Sequence, residues 1–330
     1  MAARDGWGAA EPAGDPRILR AMRRFRFGLG TGRVETAGEF SDAVRRADAS
    51  GYDVVLIPDH LGVLSPEVAM MAAAERSDRL RIGSFVFNND FRHPVVLARQ
   101  AASLDLLSGG RLELGLGAGW NVPEYEAAGI AFDRGGIRVS RMEESVRILK
   151  ALFAGDTVDF VGEHYTITNH TLVPAPPQGA DLPIFIGGNG DRMLAIGARH
   201  ADIVGLTGFR MVKDVPVTEW FGAAAIARRL AHVRGAAGDR AHALELNALI
   251  QNVIITKDRR AAARKVVDEW GMAGFDIDVA LDTPFMLFGS VRDIADQLRR
   301  YREELGFTYF AVGSTAGPGF DAVVEELAGT

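Results

Sequence analysis

The residue types best suited to chemistry sit where short apolar runs end. Asp59 and His60 close the run Val54 to Pro58, and imidazole is the natural proton donor or acceptor near neutral pH. A capping aspartate beside an exposed loop histidine is the plain alternative. Gly115, Gly117 and Gly119 precede Trp120 and Asn121 after another apolar run. This segment fails the dinucleotide fingerprint, because the third glycine position is Trp120 and the chain beyond is not a convincing helix start with an acidic ribose partner about 20 residues on. Its glycines suit either a tight strand exit or a flat ring approaching the backbone, with Trp120 placed to stack. Gly187, Gly188, Asn189 and Gly190 follow the run Pro183 to Ile186; backbone N–H groups at a helix start suit a phosphate, and an ordinary glycine turn fits equally well. Asn88 and Asn89 read on their own as a turn.

Other chemistries are absent from the sequence. There is no cysteine, which removes thiolate metal sites, disulfides and cysteine nucleophiles. The seven histidines are scattered and form no His-Glu-x-x-His pattern, so no metal site is expected. Neither a phosphate-binding GxxxxGK[ST] loop nor a G-x-S-x-G elbow occurs. The net charge is -6, and the basic cluster Arg20 to Arg26 is interrupted by Ala21, Met22 and Phe25; a nucleic-acid partner is not expected.

The elements that must position these residues follow a strand–helix cadence. The runs Phe25 to Gly30, Asp53 to Pro58, Arg81 to Phe87 and Arg111 to Gly115 begin about 30 residues apart, the length of one βα unit. Helical spacing lies between them: Phe40, Val44 and Ala47 before Gly51, then Pro94 opening a segment that Gly109 closes. Ser140 and Glu143 have capping-box spacing ahead of Met142, Val146, Leu149 and Phe153. Alternation over Val158, Phe160, Tyr165 and Ile167, with prolines at 174 to 177, predicts a short hairpin insertion after the fourth unit. The cadence resumes with Leu182 to Ile186, Asp202 to Leu206 before a helix over Thr218 to Arg234, Glu245 to Thr256, and Thr308 to Val312 after a helix capped by Ser290.

About eight strands alternating with helices predict an α/β fold, a (β/α)8 TIM barrel, with a doubly wound open sheet as the alternative. Residues 25–330 are read as one barrel domain and 1–24 as a loose N-terminal arm, since the first residues lack the apolar run of a signal peptide. No run of about 18 apolar residues occurs, so no membrane partner is expected and the default location is cytoplasmic. In a barrel of this kind chemistry belongs to the loops after the strand C-termini, where all the residues named above fall.

Taken in order, Val55 to His60, Asn88 to Pro94, Ala102 to Trp120, Ile184 to Gly188 and Arg199 to Val204 resemble the bacterial-luciferase-like superfamily, most closely its branch that uses the deazaflavin coenzyme F420. The resemblance covers roughly Phe25 to Gly313. It implies a luciferase-like barrel, usually a homodimer, with a non-proline cis peptide at Phe85 and Val86 that presses behind the cofactor ring. It further implies that Gly187, Gly188 and Asn189 meet the cofactor phosphate, that Asn88, Gly117, Trp120 and Asn121 line the ring, and that Asp59 bonds near the ring or orients His60. His60 matches the position proposed for proton transfer, while hydride moves between deazaflavin C5 and a small-molecule substrate. Where the sugar-phosphate dehydrogenases of that branch carry an acidic residue after the glycine-rich exit, this chain has Trp120, which argues against glucose 6-phosphate. The apolar surroundings of Phe85, Phe87 and Trp120 suit a hydrophobic or polycyclic substrate. Two alternatives use the same barrel: an FMN-dependent monooxygenase supplied with reduced flavin by a partner flavin reductase, and a non-catalytic flavin-binding barrel.

Overall fold

A computed structural model describes residues 23–330 except 209, 213, 214, 218 and 272–274. The arm read over residues 1–24 therefore lies almost wholly outside the described residues. Eight parallel strands close into a barrel: β1 (Arg26–Gly30), β2 (Val54–Ile57), β3 (Arg81–Ser84), β4 (Leu112–Gly117), β5 (Ile184–Gly187), β6 (Ile203–Leu206), β7 (Glu245–Ile250) and β8 (Phe307–Gly313). Each pairs with its neighbours in sequence, β8 returns to β1, and β3 meets β4 at Ile82 with Leu112 and Gly83 with Glu113. Strands covered on both faces read as unbroken apolar runs, and all four residues of β2 are buried.

Helices wrap the barrel, several of them presenting an apolar stripe to it. In α1 (Ala37–Ala49) Thr36 caps the first turn by accepting from the Glu39 backbone N–H, and Phe40, Val44 and Ala47 are the buried face. Pro94 sits at the first turn of α3 (Pro94–Leu107). Ser290 and Asp293 form a full capping box ahead of the helix Val291–Leu305. An antiparallel hairpin, Thr157–Val161 with Thr166–Thr171, lies between the fourth and fifth barrel strands.

Two local readings of the sequence are corrected. Ser140 does not cap a helix: the helix runs from Gly135 to Phe153, and the Ser140 hydroxyl bonds the His164 ring instead. The first turns of that helix are held by tertiary bonds from Arg138 to the Ala118 and Gly119 carbonyls and from Arg141 to Asp90, which local capping chemistry cannot register. The run Glu245 to Thr256 is two strands. It leaves the barrel at Gln251, whose N–H goes to the Phe285 carbonyl, and Asn252–Ile255 then pairs with Met286–Gly289 outside it.

The barrel interior is filled in layers. At its N-terminal end Arg26 donates to Glu113 and, at 2.5 Å, to Glu245, with its guanidinium 4.6 Å from the Tyr309 ring centre. Arg81 adds a second bond to Glu113 at 2.7 Å. Above this lies an apolar layer of Val54, Leu56, Phe185, Ile203, Tyr309 and Ala311. Burial raises the Glu245 carboxyl above its ordinary pKa although Arg26 pulls it down. Burial also opposes the Arg26 charge, yet Glu113 and Glu245 outweigh it and hold the group far above its usual value. Arg26→Met, which leaves the buried Glu245 carboxylate without its cation and Glu113 with Arg81 alone, is expected to cost about 3–5 kcal/mol in urea unfolding. Glu245→Gln removes the more poorly compensated charge and is expected to stay within about 1 kcal/mol of the parent protein.

Candidate active site

β3 stops being a regular strand at its last turn into the cavity. Successive side chains of a strand face opposite sides, yet Phe85 and Val86 both pack on the interior apolar layer, and the peptide bond between them is cis. The strand resumes as Phe87–Asn88, paired with Leu116 and Gly117 of β4. The resulting bulge explains the glycines opposite. A Cβ on Gly115 would run into the Ser84 carbonyl, and one on Gly117 would meet Val86 Cγ2 at 2.7 Å. Gly119 has φ +73°, and a side chain there would collide with the Tyr125 hydroxyl. The glycine spacing in β4 is thus a packing requirement of the bulge and of the helix that follows.

The C-terminal ends of the strands surround a cleft of about 780 Å³. The residues assigned to the site from the sequence line it, namely Asp59, His60, Phe85, Val86, Asn88, Gly117, Trp120, Asn121, Gly187, Gly188 and Asn189, whereas Asn89 and Gly115 do not. Of the two roles expected of Asp59, its hydrogen bonds do not give the second. Asp59 does not orient His60. Its carboxylate accepts from Arg92 at 2.6 and 3.3 Å and from the Asn88 N–H at 2.8 Å. Arg92 also donates to Glu67 at 2.7 Å, and although burial opposes its charge these hydrogen bonds keep its pKa above the ordinary value. Asp59 therefore ties the end of β2 to the segment after the bulge.

His60 is oriented by Glu124, a residue the sequence reading missed. His60 Nδ1 lies 2.8 Å from Glu124 Oε1, and the Trp120 ring stands edge-on to the imidazole at 5.7 Å. With Glu124 ionised, Nδ1 carries the proton and donates it to the carboxylate, leaving Nε2 as the acceptor nitrogen. Glu124 enters through α4 (Val122–Ala128), whose N-cap is Asn121 and whose first turn contains Pro123. Its sequence signal was its place in the first turn of a proline-opened helix directly after the glycine-rich exit. Asn88 and Tyr125 stiffen the wall behind: Tyr125 Oη shares its one proton between Asn88 Oδ1 at 2.9 Å and Asp90 Oδ2 at 3.0 Å, and burial pushes its pKa up to about 12.

On the opposite wall, Gly187 and Gly188 leave the backbone bare before α6 (Asp191–His200), whose N-cap is Gly190. Asn189 Oδ1 accepts from the Thr207 N–H at 3.2 Å and from Arg229. The Arg229 side chain is buried behind this turn, its pKa pushed down to about 10 by burial, with Asp191 partly opposing. A helix N-terminus backed by a buried guanidinium suits an anion such as a phosphate. Among the described residues no cluster of metal-ligating side chains is found, and no helix is long and apolar enough to cross a membrane.

Comparison with known proteins agrees with this architecture. F420-dependent glucose-6-phosphate dehydrogenase of Amycolatopsis mediterranei is 31% identical over 166 residues, covering 48% of this chain and 49% of that protein. The chain thus matches about half the length of such relatives. The F420-dependent tetrahydromethanopterin reductase of Methanopyrus kandleri superposes with a TM-score of 0.71 at 20% identity, over 93% of this chain and 98% of that one. The monooxygenase RslO1 of Streptomyces bottropensis superposes with 0.70 at 22% identity, over 92% and 97%. At such identities the two structures show a shared fold. The sequence model of the luciferase-like monooxygenases matches residues 21–303, a span that includes the bulged third strand, the glycine-rich exit and the bare turn after β5, and the chain belongs to that family.

Proposed function

We propose that the cleft binds coenzyme F420 and that the protein is an oxidoreductase moving a hydride between deazaflavin C5 and a small organic substrate. The observation that carries this reading is the pairing, in one cleft, of a glycine-backed wall with the His60–Glu124 couple. A cleft of about 780 Å³ is ample for a three-ring heterocycle with its side chain. The groups present fit the cofactor: Gly117, Gly187 and Gly188 keep backbone accessible, Phe85 and Val86 project from the bulge, and the turn at Gly188 to Gly190 with Arg229 behind it suits the phosphate. When bound, the deazaflavin supplies a two-electron hydride donor or acceptor and little reactivity towards dioxygen.

The chain's own contribution is proton handling and enclosure. His60 Nε2 takes or returns the hydroxyl or imine proton of the substrate while Glu124 stabilises the imidazolium. Glu124 places a carboxylate beside His60, four residues beyond Trp120. Trp120 (55% exposed), Trp220 and Leu249 give the cleft apolar walls, which suit a substrate with an extended apolar body better than a sugar phosphate.

Fluorescence titration of the purified protein tests the cofactor: tight F420 binding with weak FMN binding is expected, and the reverse order would move the reading to a flavin monooxygenase fed by a partner reductase. With a panel of alcohols, enones and imines, His60→Ala is expected to lower turnover by roughly 10²–10⁴-fold with cofactor affinity unchanged. Glu124→Gln is expected to lower turnover less, by about tenfold, because it keeps the hydrogen bond to His60 and removes the charge. Equal turnover in the parent and His60→Ala proteins would rule out the proton-transfer role. Trp120→Ala is expected to raise KM for bulky apolar substrates; an unchanged KM would discard the proposed substrate class.

A further inference from the structure

Asn247 has no role in anything described so far. It lies on β7, in register with Gly205 of β6 and Tyr309 of β8, and Gly205 pairs in turn with Gly187. This row joins the turn after β5 to the far wall of the barrel. The side chain is fully buried and lines the cleft, yet neither its Oδ1 nor its Nδ2 has a hydrogen-bond partner. Buried polar groups are nearly always paired, and an orphaned donor and acceptor on one side chain destabilise the fold unless something completes them.

Its surroundings offer no internal partner. The Phe185 ring occupies the space where a Gly205 Cβ would stand, and Leu249, Phe85 and Val86 pack on the same apolar layer. The Tyr309 hydroxyl is also unpaired, but it is directed towards β1, where a Cβ on Gly28 would lie 3.1 Å from it. Asn247 thus brings an unpaired donor and an unpaired acceptor, side by side on one carboxamide, to the apolar floor of the cleft.

We propose that Asn247 binds the imide edge of the flat cofactor, Oδ1 accepting from the ring N–H and Nδ2 donating to the adjacent ring carbonyl. The proposal rests on the reading of the cleft as a deazaflavin or flavin site. Of the two ends of such a ring, only the imide end presents a donor beside an acceptor. The other end carries a single hydroxyl in the deazaflavin and methyl groups in FMN, either of which leaves part of the amide unpaired. The imide is common to both cofactors, so Asn247 serves affinity and ring orientation and does not choose between them.

The test uses the full chain and Asn247→Leu, a change of similar size without hydrogen-bonding atoms. Deazaflavin and FMN are titrated by fluorescence, each alongside its analogue methylated at the imide nitrogen. The parent protein is expected to bind the preferred cofactor about 10- to 100-fold more tightly than Asn247→Leu does, and to discriminate against the methylated analogue, whereas the variant binds both forms alike. The apo variant is expected to melt at the same temperature as the parent or higher, because no internal hydrogen bond is lost. Equal cofactor affinity in parent and variant, or a lowered melting temperature that marks a structural role, overturns the proposal. A parent protein that binds neither ring overturns the cofactor reading itself.

Discussion

Arg26 is the constraint from which the rest of the barrel follows. Its guanidinium lies inside the closed ring of strands, bonded to carboxylates from β4 and β7 and stacked near Tyr309 of β8. A charge taken out of water is tolerable only with excellent pairing, so β1, β4, β7 and β8 cannot shift register without stranding it. The cluster also fills the N-terminal end of the barrel. With the Phe185 and Tyr309 layer above it, the barrel interior is filled up to the strand C-termini, where the cleft is found.

At that end a second set of arginine–carboxylate bonds does a different task. Arg92 holds Asp59 and Glu67 together, and Asp59 receives the Asn88 N–H. The end of β2 is thereby tied to the polypeptide that follows the bulge in β3. Because Asp59 is committed to this work, the imidazole beside it depends on a carboxylate from a helix that starts after β4. Adjacent residues in sequence serve separate functions, one bracing the wall and one facing the cleft.

The glycines illustrate how packing and chemistry share the same residues. Gly115 and Gly117 yield to the bulge at Ser84 to Val86, and Gly119 yields to the Tyr125 hydroxyl. Gly187 and Gly188 bare the backbone on the opposite side. A motif that looks like a failed nucleotide fingerprint is therefore a consequence of how two neighbouring strands meet, and the flat, side-chain-free surfaces it leaves are what a ring can lie against.

Much of this was written in the sequence. The apolar runs spaced at the length of a βα unit, Pro94, Ser290 and the glycine breaks are local signals, and they favoured a barrel over an open sheet and placed His60, Trp120 and Gly187 at strand ends. What the sequence could not carry were partnerships between residues distant along the chain. Glu124 reaches His60 across 64 positions, Arg26 reaches Glu245 across 219, and Arg138 fixes a helix start that capping rules put at Ser140. Nothing local marks Asn247 within the run Glu245 to Thr256, and only the closed barrel shows it to be buried, lining the cleft and unpaired. Periodicity and capping depend on neighbours within a few residues, whereas side-chain pairing and burial depend on which strands the barrel brings together.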